Sequence, residues 1–175
     1  PSPRALFSLS SGQPESAQQR LDKALDALLE GETSRAERLL LALAEPHGDE
    51  AVVHSLLALT GFFQNRGALS VTESTRGARL ARDMEGDLGK LLVLADRSWR
   101  EHHNKEALLR QWKTLREAHD EPMVELFYFV SARFLIDHPT FIAQLRASMK
   151  MHPDWVALWL LELRRLEEFG DIDGL

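Results

Sequence analysis

Seven histidines are the residues of this chain best suited to metal or proton chemistry. His102 and Glu106 stand four apart, an offset that puts two side chains on one helical face and could give an ion two ligands. The expected helix boundary at Asn104 falls between them, and no third ligand recurs at a useful offset, so a surface pair at a turn is the expectation. His138-Pro139 and His152-Pro153 occupy corresponding interhelical turns and read as turn or capping residues, while His54 and His119 are isolated. A zinc site needs three or four converging ligands. With no cysteine in the chain, thiolate ligands, cysteine nucleophiles and disulfides are excluded.

The other chemically competent groups also lack a context. Glu73, Asp83, Glu85 and Asp87 cluster about one turn and read as solvent-facing helix decoration. Asp171 and Asp173 mark a stretch far shorter than a calcium-binding loop. Gly86, Gly89 and Lys90 have neither the spacing nor the preceding strand of a phosphate loop. Ser70, Ser74 and Ser98 lie in no nucleophile elbow. The chain is therefore read as not an enzyme, with no catalytic residue, metal or cofactor assigned.

Composition narrows the partners. Of 175 residues, 44% are hydrophobic and 27% charged, which suits a soluble folded chain rather than a disordered one. A net charge of -6 weakens the case for a nucleic-acid or acidic-membrane surface, so no nucleic acid is expected as partner. No run approaches the length of a membrane span, so no direct membrane insertion is expected. The compartment stays open between cytoplasm and periplasm.

The elements that must position any site are helices. Residues 1–15 read as an irregular leader rich in Pro, Ser and Gly. From Ser16, a plausible cap, Ala17, Leu21, Ala24, Leu25 and Leu28 share a face, and Gly31 ends the pattern. Ser34 starts a second helix, and a third runs from about Asp49 to Gln64 with Asn65-Arg66-Gly67 as its terminator. A weaker one follows to Asp83, interrupted by Gly77. Further helices are expected over 87–100, 105–118 with Asn104 as cap, 122–136, 139–151, and from Pro153-Asp154 to Gly170. The aromatic residues Trp99, Trp112, Phe127, Phe129, Trp155 and Trp159 fall at core spacing and are expected mostly to pack.

The helices pair at a nearly constant interval. First members of the pairs begin near residues 16, 49, 87, 120 and 154, with gaps of 33, 38, 33 and 34. Ala24, Gly31, Ala36, Leu40, Leu43 and Pro46 in the first unit resemble the tetratricopeptide repeat. So do Leu92, Trp99, Leu108, Trp112 and Leu115 in the third unit, and Ala132, Phe141, Leu145, Ser148 and Pro153 in the fourth. The resemblance covers residues 16–175, with Asp96, Phe129 and Leu163 departing from the small residue usual at one position. It implies an all-α fold, a right-handed α-solenoid of stacked antiparallel helix pairs with about four and a half repeats. The chain opens at Pro1 and closes just after Phe169-Gly170-Asp171-Ile172, so it is expected to be a piece of a longer protein cut within the fifth repeat. The apolar side of the last helix would then lack its neighbour and could cause self-association.

In such a stack the first helices line a concave surface left free for a partner. The resemblance places Leu21, Leu25, Ser55, Leu59 and Phe62 on its apolar half. On its cationic half it places Lys90, Val93, Arg97, Arg100, Leu126, Val130, Arg133, Leu160 and Arg164. The implied function is a protein-protein interaction scaffold, binding an acidic peptide or a partner protein as a module of a larger assembly or transport protein. Bacterial complex assembly uses such modules. The arginines would pair with partner carboxylates; the alternative is that they satisfy nearby Glu and Asp. A structural spacer, or an accessory helical domain of an enzyme, are the alternative functions. The two-carboxylate clamp of some chaperone adaptors is not reproduced, since Arg20, Asn65 and Lys90 are too irregularly placed.

Overall fold

The structure, a computed structural model, describes residues 6–101 and 103–170. His102 and the expected turn over 171–174 lie outside the described residues. Among the described residues there are nine helices and no strand. They are α1 (Glu15–Leu29), α2 (Thr33–Ala44), α3 (Ala51–Phe63), α4 (Gly67–Ala81) and α5 (Asp87–Arg100), followed by α6 (Lys105–Ala118), α7 (Pro122–Ser131), α8 (His138–Met151) and α9 (Val156–Phe169). The chain is all-α.

The helices sort into an inner and an outer set. α2, α4, α6 and α8 pack chiefly against the helices before and after them, whereas α1, α3, α5, α7 and α9 also meet one another. α7 touches α1, α3, α5 and α9, and α1 touches α9. The free concave side expected from the repeat is therefore filled. Sequence composition explains why: α3 is buried at every position from Ala51 to Phe62, and α7 at all but Pro122 and Glu125. A helix that is apolar all round has no face to give to water and moves to the centre.

The outer helices instead carry narrow stripes. Leu108, Trp112 and Leu115 are the buried residues of α6, and Ala36, Leu40 and Leu43 those of α2. The indole of Trp112 donates to Ser98 Oγ (2.8 Å). Ser98 in turn donates to the Leu94 carbonyl, so the serine ties α5 to α6.

α3 and α4 approach most closely because small residues face each other. Ser70 Oγ donates to the Ala58 carbonyl (2.6 Å) and Ser74 Oγ to the buried Asp96 of α5 (3.1 Å). A methyl at Gly77 would collide with Ser55 Oγ and lie 3.0 Å from Ala51 O and Ser55 N. The glycine that the sequence marks as an interruption is thus the point of closest packing. Glu73, expected to face solvent, is mostly buried and pairs with the His54 ring (2.6 Å), whose other nitrogen donates to the Gly48 carbonyl (3.0 Å).

Several boundaries differ from the sequence expectation. α7 stops at Ser131 rather than near Ile136, yet Leu135 and Ile136 remain buried in the turn that follows. Their burial satisfies the apolar pattern without helix. Of the expected caps, Asn104 sits at the start of α6 without a side-chain bond, and Glu32 and Pro14 stand where Ser34 and Ser16 were expected. Asp137 caps α8 instead, accepting from Thr140 N–H (3.0 Å), a bond that holds its carboxyl below the usual value.

The described part of the leader, residues 6–14, carries no helix and is built into the core. Phe7 is buried and stacks on Phe127, with ring centroids 5.9 Å apart and planes 4° from parallel. Leu6 N–H donates to Glu121 Oε1 (3.2 Å), and Ser10 N–H and Gln13 Nε2 both donate to the Glu50 carboxylate (3.1 Å). Glu121 Oε2 has no hydrogen-bond partner, and burial pushes its carboxyl above the usual 4.5. The folded state then holds more protons than the unfolded one, so this group's contribution falls as pH rises from 4.5 through the raised value. Relative to wild type, Glu121→Gln should gain stability in urea titrations as pH rises above 4.5. An identical pH profile for the two proteins would mean that the carboxyl reaches water.

Candidate functional site

Residues of three inner helices, the outer helix α4 and two turns meet in a cleft of about 270 Å³. Phe62, at the end of α3, forms its floor. The chain turns at Asn65, whose φ of 58° is a left-handed conformation that asparagine tolerates better than most residues. Trp99 of α5 stands beside Phe62 with ring centroids 6.5 Å apart, and its indole donates to the Val130 carbonyl (3.1 Å), which fixes the ring plane. Arg133 and Phe134 come from the turn after α7, and Arg164 from α9.

Both guanidiniums lie over Phe62, Arg164 at 3.9 Å and Arg133 at 4.7 Å from the ring centroid. Arg133 also covers Phe134 at 4.3 Å, and Arg164 donates to the Phe62 carbonyl. An arginine stacked on an aromatic face keeps its edge donors available to a planar acceptor. Burial, followed by the neighbouring charges of Arg164 and Arg165, lowers the Arg133 pKa despite the opposing pull of Glu168. Phe134 and Val71 are about half exposed and supply an apolar rim. The cleft thus combines desolvated positive charge with accessible aromatic surface.

Of the eight residues expected to bind a partner, Phe62, Arg133 and Arg164 are brought together here. Leu59 and Leu126 are not at any surface; at 1% and 0% exposure they are core residues, because α1, α3, α7 and α9 close over the side expected to be free. Leu21, Leu25 and Val130 are buried for the same reason. Lys90 and Arg97 line a different groove between α4, α5 and α6. They pair within the chain, Lys90 with Asp87 (3.0 Å) and Arg97 with Glu101 (2.9 Å), while Arg100 pairs with the buried Asp96. The continuous cationic half is replaced by separate, internally satisfied pairs and one convergent cluster.

Sequence reasoning missed Phe134, Trp99 and Val71 as cleft residues. The sequence expectation puts Trp99 in the packing and Phe134 inside the helix expected over 122–136, although an Arg-Phe pair followed by a proline-containing turn is the available signal. Trp159, also assigned to packing, is half exposed beside Val156 and Leu163 on the outer face of α9.

A larger groove, about 560 Å³, lies over the outer side of α7 between α6 and α8. Its charges satisfy each other: Arg116 grips Glu125 at 2.6 and 3.0 Å, and Tyr128 donates to Gln144 Oε1 (2.7 Å). Among the described residues no group of three or more His, Asp or Glu is arranged to hold a metal ion, and no helix is long and apolar enough to cross a membrane. In comparisons with known proteins, no family model, curated protein or solved structure matches the chain.

Proposed function

We propose that the chain is a non-enzymatic protein-protein interaction module, and that it grips a peptide segment of its partner in the cleft at Phe62. The observation that carries this reading is the stacking of Arg133 and Arg164 on the Phe62 ring that floors the cleft. Such a pair offers planar donors to a carboxylate, while Phe134 and Trp99 offer surface to an apolar side chain. The finer architecture belongs to the same proposal. The regular helix pairs, with second members outside, support a right-handed tetratricopeptide-like stack wound so tightly that its inner helices touch. Binding then falls to the edge of the stack, where inner helices end, rather than to a continuous groove.

Selection from a displayed library of random twelve-residue peptides tests the reading. Sequences recovered by the wild-type chain should be rich in acidic and aromatic residues. Arg133→Gln and Arg164→Gln should each weaken the best peptide about tenfold or more, as expected for losing a charge-assisted hydrogen bond. Arg97→Gln, which alters a distant internal pair, should leave affinity unchanged with native circular dichroism in all three. Equal losses in all three variants, or none, would remove the assignment.

A further inference from the structure

Among the described residues, the arginines of the cleft belong to a larger cluster with few counter-charges. Among the described residues, Glu168 is the carboxylate that Arg133, Arg164 and Arg165 share, at 2.8, 3.5 and 3.9 Å. Arg165 is 4% exposed, donates to the Ile136 carbonyl (3.3 Å), and leaves its Nε without a partner. The three guanidiniums, Glu168 and Phe62 surround a space of about 10 Å³, roughly what one water molecule occupies. Asp137, which draws on Arg165 from the turn before α8, is exposed and engaged as a helix cap.

Glu168 is poorly placed for its own helix. It stands in the last turn of α9, beside Glu167 and with no basic residue in that turn, two residues before the left-handed Gly170. A carboxylate there opposes the helix dipole. Its side chain is about one-third exposed, so it can swing to water without unpacking anything. Its pairs with Arg164 and Arg165 of α9 and with Arg133 across the fold offset that dipole cost.

We infer that Glu168 is a resident stand-in for the ligand's acid: the cleft takes a peptide carrying a carboxylate next to an aromatic side chain, and that carboxylate displaces Glu168 from Arg133 and Arg164. The inference rests on the proposed peptide-binding role and adds its ligand chemistry and its internal competitor. The exchange conserves charge at the arginines, because one carboxylate leaves as another arrives. The water that the incoming carboxylate gives up is offset by the water that Glu168 regains. Phe134 and Trp99 receive the neighbouring ring. The resident acid keeps three crowded cations compensated when the cleft is empty and sets a threshold that weak anions do not cross.

The test uses a fluorescein-labelled dodecapeptide with Glu-Phe-Glu at its centre, its Gln-Phe-Gln counterpart, and inorganic phosphate as a competitor. Wild type should bind the acidic peptide and not the amide one. Glu168→Gln removes the competitor and should tighten binding of the acidic peptide about tenfold, with a steeper dependence on salt. Glu167→Gln, changing an exposed neighbour by the same charge, should leave affinity within about twofold. If wild type binds the acidic peptide but Glu168→Gln binds it equally or more weakly with native circular dichroism, the stand-in role is overturned and the peptide-binding reading survives. Should Glu168→Gln fail to fold, Glu168→Asp, which retracts the acid by one methylene, must show the same tightening or the inference falls. Displacement of the peptide by phosphate at concentrations comparable to the peptide would overturn the aromatic-acid specificity. If no variant and no wild-type sample binds either peptide, the inference and the functional reading fall together.

Discussion

Phe7→Ala is expected to lower the unfolding free energy by about 3–5 kcal/mol, the usual cost of removing a fully buried aromatic side chain. Phe7 is 1% exposed and lies flat on Phe127 of the central helix α7. The segment that carries it has no helical hydrogen bonds of its own. It is held by bonds to Gln18, Glu50 and Glu121 on three parts of the chain. Domains of this size are stable by only about 5–15 kcal/mol, so the variant should sit close to its threshold. Phe7→Leu, which keeps most of the volume, should cost about 1–2 kcal/mol. Urea titration followed by circular dichroism measures both. A loss under about 1 kcal/mol for alanine would mean that the strap does not pack on α7 in solution, because no partial collapse could hide so large a void.

Gly77 and Gly67 should respond to alanine with opposite signs. Both lie in α4, where alanine is preferred to glycine by about 1 kcal/mol on helix propensity alone. Nothing stands within 4 Å of a methyl at Gly67, so Gly67→Ala should raise stability by up to about 1 kcal/mol. At Gly77 the methyl meets Ser55 Oγ and two backbone atoms of α3. Rotating the serine cannot clear the backbone contacts, so Gly77→Ala should cost about 1–3 kcal/mol net and force α3 and α4 apart. Gly77→Val, adding two further carbons to the same contact, should leave little folded protein at room temperature. Thermal melts of the three variants check the order. Equal stabilisation at both glycines would show that α3 and α4 are not in close contact.

Much of this fold was written in local patterns. The stripe Leu21, Ala24, Leu25 and Leu28 marks α1, and Leu108, Trp112 and Leu115 mark α6, because three-to-four spacing leaves one face to bury. Turn residues such as Asn65 and Gly170 appear where helices end, since few other residues adopt positive φ there. The end of α7 was less legible. Leu135 and Ile136 continue an apolar run that reads as helix, yet they bury from a turn, and burial does not depend on backbone form.

The site shows the same division more sharply. Residue type and repeat position singled out Arg133, Arg164 and Phe62, and the three do line one cleft. That Leu59 and Leu126 lie in the core, that Arg100 answers Asp96, and that Glu168 sits among three arginines was not visible there. Local sequence determines helix, turn and the direction of each apolar face, because those depend on neighbours within about a turn. Whether two inner helices leave a groove or close it depends on contacts between residues far apart in the chain, such as α1 against α9. Only the packed tertiary structure decides those, since burying the fully apolar α3 and α7 outweighs keeping a concave surface open to water.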